Sequence, residues 1–126
     1  MWPTFVVRTA AWLEILVGVS FIAVLHLPCR LLFAVTPEGL ANLLGRFAGV
    51  GLVSLGIACL PSKTTGPQRK AVIGLLVFIL AAMMFFVWVG VASTFRGIFL
   101  WPAVVLHGAI AVAIVSLFFT AETKRE

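Results

Sequence analysis

The chain has 126 residues, 63% of them apolar and only 10% charged, with a formal net charge of +5 and a mean hydropathy of +1.21. Soluble domains carry about 25% charged residues, so this inventory excludes a water-facing globular surface. The basic excess does not mark a nucleic-acid binder either, because the nine basic residues are scattered at the ends of apolar runs rather than gathered on one face.

Four apolar runs, Phe5–Leu27, Leu40–Leu60, Ala71–Ala92 and Gly97–Phe119, take up almost the whole sequence. Each holds about 20 residues, the length that crosses a ~30 Å hydrocarbon core at ~1.5 Å per residue. The runs are continuous rather than alternating, which argues against a β-barrel. The expected fold is therefore all-α: one domain over 1–126, a bundle of four transmembrane helices.

The first run opens with Trp2 and Arg8 at an interface and closes at Pro28. It is expected to be retained rather than cleaved, since Glu14 interrupts it and His26-Leu27-Pro28 is no small-residue processing site. Pro28–Glu38 reads as a short amphipathic connection whose Leu31, Leu32 and Phe33 lie at headgroup level. Thr36-Pro37-Glu38 combines a capping Thr, a first-turn Pro and an acid, which predicts that the second helix begins at Pro37.

Within the second run, Gly45, Gly49 and Gly56 fall within about 40° of one another on a helical wheel. Gly45-x-x-x-Gly49 is a small-xxx-small pattern, which lets two backbones approach closely. Its partner is either another span of this chain, with Ala11, Gly18, Ala103, Gly108 and Ala111 as opposing surfaces, or a second copy. The basic loop Pro61–Lys70 follows, then the uncharged third run with Trp88 in its outer half. Ala92–Gly97 is a tight outer connection, and Trp101-Pro102 marks the start of the fourth span proper.

With four spans, the N-terminus, the Pro61–Lys70 loop and the tail share one side. That side carries Arg8, Lys63, Arg69, Lys70, Lys124 and Arg125, against Arg30, Arg46 and Arg96 on the other. The positive-inside rule then places both termini in the cytoplasm and the chain in the cell inner membrane as a multi-pass protein. Cys29 and Cys59 fall on opposite faces, which excludes a disulfide between them.

Away from their ends, the runs are interrupted by Glu14, Arg46 and His107. Each costs on the order of 2.5–3.5 kcal/mol on insertion scales, so each asks for a reason. Glu14 lies about 13 Å from the inner end of its span and His107 about 15 Å from the outer end of its own, with Arg46 about 9 Å below the outer boundary. These depths are compatible with a buried Glu14–Arg46–His107 cluster. Such a cluster either ties the helices together or binds a proton, an ion, a quinone or a lipid headgroup. His107 alone reads as a neutral imidazole bonded to a neighbouring helix. His26 lies near the outer surface, far from His107, which argues against haem held by paired histidines. No nucleophile–base pair, phosphate loop or metal-ligand spacing occurs, so no catalytic residue, metal or cofactor is expected.

The segments Leu13–Gly18, Leu44–Ala58 and Leu100–His107 together resemble small bacterial four-span membrane proteins of a loosely DoxX-like kind. In these a Glu in the first span, an Arg-x-x-Gly in the second and a Trp-Pro…His in the fourth recur. The resemblance implies a four-span fold and singles out Glu14, Arg46 and His107, and it brings no assigned activity. Such proteins often carry an Asn in the third span, where this chain has Phe78-Ile79-Leu80. A lone carboxylate in the first span, within Ala11-Trp12-Leu13-Glu14-Ile15, is also similar to the small multidrug resistance family, although that family's third- and fourth-span motifs are missing. The expected function is that of a non-enzymatic accessory, assembly or interaction subunit, stabilised by the Glu–Arg–His cluster. Its partners would be the bilayer together with a larger membrane complex or a second copy. The alternatives are a proton-coupled carrier of a small molecule that titrates at Glu14 and, third, a lipid- or quinone-modifying enzyme.

Overall fold

Inside a bilayer an apolar run must satisfy its own backbone, and the helix does so within one segment. The computed structural model describes residues 2–60 and 68–122, with side chains at 4–60 and 68–116, and is all-helical with no strand among those residues. Its helices are α1 Trp2–Ala23, α2 His26–Phe33, α3 Gly39–Cys59, α4 Arg69–Ala92 and α5 Leu100–Glu122. Thr4–Ala23 of α1, α3 and α4 are each long and apolar enough to cross a membrane, and the described apolar part of α5 is Leu100–Ser116. The Trp2 side chain, most of the Pro61–Lys70 loop and the Lys124-Arg125 tail lie outside the described residues.

The long helices pack as two antiparallel pairs. Gly18 lies against Gly49, and Gly56 against Ala11, which sets α1 and α3 in opposite directions. Gly90 lies against Trp101, and Gly108 near Met83, which does the same for α4 and α5. The pairs join through α1 with α5 and α3 with α4. Between them is a core of Val7, Ala10, Ala11, Cys59, Leu75, Ile79 and Ile114, all almost wholly buried. Outward faces carry Phe47, Val77, Met84, Ile98 and many more exposed apolar side chains, the pattern of a surface that meets lipid rather than water.

The helix boundaries depart in places from the ends of the apolar runs. α1 stops at Ala23, four residues short of Leu27, and the chain restarts as α2 at His26. A helix running on through Pro28 would set its ring against the carbonyl four residues back. The restart places Pro28 in the first turn of α2, where no backbone donor is needed. α2 closes at Ala34, whose φ of 57° is left-handed and whose N–H donates to the Arg30 carbonyl at 3.0 Å. α3 begins at Gly39 rather than Pro37. Gly39 has φ +52°, which a helix started at Pro37 could not pass through. Glu38 is the capping residue and makes no side-chain cap. Finally, α5 begins at Leu100, and Pro102 falls in its first turn.

The connection after α4 is fastened to α2 by backbone alone. Gly97 N–H donates to the Leu32 carbonyl and Phe99 N–H to the Leu31 carbonyl, both at 2.9 Å. These are carbonyls of the last turn of α2, which have no partner within the helix. A Cβ at Gly97 would stand 2.0 Å from the Leu31 oxygen, so glycine is required there.

Candidate functional site

Glu14 stands on the face of α1 that also carries Val7, Ala10 and Ala11. That face packs into the apolar core, and Glu14 is 8% exposed, the one buried charged residue among the described ones. Among the described residues its carboxyl makes no hydrogen bond and no ion pair. No fully sealed side-chain nitrogen or oxygen there lacks a partner. The Glu14 carboxyl, having no partner, therefore keeps a residual opening.

Arg46 goes elsewhere. Its Nη1 donates to the Ile22 carbonyl, and its Nε donates to Asn42 Oδ1 at 3.0 Å. Ile22 lies in the last turn of α1, where carbonyls are orphaned and a cation complements the helix dipole. The Gly18–Gly49 and Ala11–Gly56 registers place Arg46 level with residue 21. That is seven residues, or about 10 Å, along the axis from Glu14. Arg46 is exposed, and the structure does not bring it to Glu14.

His107 is half-buried on α5, and its partner is on its own helix rather than a neighbouring one: Nδ1 lies 2.7 Å from the Ala103 carbonyl. A carbonyl can only accept, so Nδ1–H is the donor. Phe86 of α4 meets the ring edge-on, with centroids 5.4 Å apart. Phe86 in turn belongs to an aromatic cluster with Phe33 and Phe85. The three sequence-derived residues thus occupy three separate environments.

Gly45, Gly49 and Gly56 all face α1 or the turn after it. A Cβ at Gly49 would come within 2.7 Å of the Gly18 oxygen, at Gly56 within 2.6 Å of the Ala11 oxygen, and at Gly45 within 2.7 Å of the Leu25 side chain. Cys29 and Cys59 are buried free thiols, and burial pushes the Cys29 thiol above its ordinary range. Ser20, Ser54 and Ser93 donate to carbonyls three or four residues back on their own helices, at 2.7–2.8 Å.

An aromatic-walled cleft at the α2 end of α4, lined in part by Phe33, Phe85, Trp88 and Phe95, is not among the sites expected from sequence. The signal was Phe85-Phe86-x-Trp88, which puts Phe85 and Trp88 a turn apart on one face. Comparison of the chain with protein families, curated proteins and solved structures finds no match.

Proposed function

We propose that the chain is a four-span protein of the cell inner membrane with both termini cytoplasmic, and that it is a proton-coupled carrier of a small amphipathic molecule with Glu14 as the coupling group. α5 supports the fourth span: 23 residues reach about 34 Å at ~1.5 Å each. The observation that carries the function is the Glu14 carboxyl itself, buried and not sealed, with no hydrogen bond or ion pair among the described residues and with the Cys59 thiol as its titratable neighbour. A carboxyl kept for structure is expected to be paired, and Arg46 is committed to Ile22. Intramembrane carboxyls that face a bundle interior commonly mark proton and ion pathways.

The test is flux of a lipophilic cation, ethidium, across proteoliposomes under an imposed proton gradient. Glu14→Gln keeps shape and removes titration, and should abolish gradient-driven flux while leaving folding intact. Equal flux in the variant and the native protein would refute the proposal.

A second reading, an accessory subunit that docks a larger membrane protein, rests on α3. Its outward face presents Ala48, Gly51 and Ala58, and a Cβ at Gly51 would meet nothing within 4 Å. Small residues at such a surface permit close helix approach. Recovery of a stoichiometric larger partner in mild detergent, lost in Gly51→Leu, would favour this reading over the carrier.

A further inference from the structure

The cleft beside α4 is open, has a volume of about 310 Å³ and is walled by aromatic rings. Phe33 of α2 meets Phe85 edge-on at 6.3 Å, and Phe85 lies 6.3 Å from Trp88. Phe85, Trp88 and Phe95 are each at least half exposed, so these rings face outward. Ser93, the C-cap of α4, lies at its upper end. From there to Phe85 the cleft runs two turns, about 12 Å, down the helix. In a membrane that path leads from the headgroup level into the acyl chains.

One cation is tied to its mouth, and a second lies on the adjoining face of α2. Arg96 Nε donates to the Ser93 carbonyl at 3.2 Å, which anchors the guanidinium beside a residue that lines the cleft. Arg30 lies on α2 one turn before Phe33, on the same helix face. Both are exposed, and among the described residues neither forms an ion pair. Glu38 is the only acid between residues 15 and 121. An open apolar cleft with Arg96 held beside its lining residue Ser93, and Arg30 a turn before its lining residue Phe33, is complementary to an amphiphile with an anionic head and an alkyl tail.

We propose that this cleft binds one anionic phospholipid from the leaflet at the α2 end, with an acyl chain against Phe85 and Trp88 and the phosphate held by Arg96 and Arg30. Guanidinium suits phosphate because its planar donors pair two oxygens at once. The rings supply flat apolar area for the chain.

Native mass spectrometry of the full chain, delipidated in detergent and titrated with phosphatidylglycerol or with phosphatidylcholine of identical chains, tests this. The expected result is one site with a preference for phosphatidylglycerol on the order of tenfold. Arg30→Gln with Arg96→Gln should erase that preference, and the corresponding Lys variants should restore part of it. Phe85→Ala should weaken both lipids. Circular dichroism and thermal midpoints establish that each variant is folded, and Phe85→Leu provides the milder change if Phe85→Ala is not. Equal binding of the two lipids would overturn the proposal. So would a preference that survives the double Arg change or disappears instead with Arg69 and Lys70, or a second protein copy that occupies the cleft and excludes lipid.

Discussion

Gly18 and Gly49 meet backbone to backbone: a Cβ on either would stand 2.7 Å from the other's carbonyl oxygen. No side chain separates α1 from α3 at that point, so the two helices are as close as their main chains allow. Substitution there should act as overpacking, which costs about 1–3 kcal/mol and more for a large residue. Gly49→Leu should lower the thermal midpoint in detergent sharply. Gly51→Ala, two residues away and facing open space, should leave the stability unchanged or raise it by up to about 1 kcal/mol through helix propensity.

Arg46 should behave as a helix-end clamp and not as a counter-ion for Glu14. Removing a charged hydrogen bond of this kind costs about 1.5–3 kcal/mol, so Arg46→Gln should be destabilising. A double-mutant cycle with Glu14→Gln should be additive within about 0.5 kcal/mol, because the two groups share no partner.

The αL cap at Ala34 and the glycine at 97 give opposite expectations for one small change. Ala34→Gly should stabilise the protein by on the order of 1 kcal/mol, since glycine adopts φ near 57° without penalty. Gly97→Ala should detach the loop from the last turn of α2 and lower the midpoint. Hydrogen exchange at Phe99, whose amide bonds to Leu31, should rise in Gly97→Ala alone.

Cys29 should resist a water-soluble maleimide at neutral pH in the folded protein. It is buried, and its thiol is pushed up by burial, so little thiolate is present to react. Unfolding in denaturant should restore an ordinary labelling rate.

Much of the architecture was written in local pattern. The apolar runs fall on α1, α3, α4 and α5, because run length and helix pitch are tied directly to span length. The glycine spacing of α3 marked the face that meets α1. What the sequence could not settle was pairing. Glu14 and Arg46 have compatible depths, yet the offset between α1 and α3 is set by Gly18–Gly49 packing and leaves them about 10 Å apart along the axis. Pro28 in sequence marks a stop, although the same ring fits a helix start equally well. The aromatic cleft joins α2 to α4 across more than fifty residues, a juxtaposition that no single segment encodes.

The most direct measurement is the equilibrium stability of Glu14→Met in mild detergent. If Glu14 is an unpaired carboxyl, free of hydrogen bonds and ion pairs and retained for coupling, an apolar side chain of similar length should leave the unfolding midpoint unchanged or raise it, while flux is lost. A loss of about 3–5 kcal/mol, the cost of breaking a buried ion pair, would contradict the account and make Glu14 a structural residue.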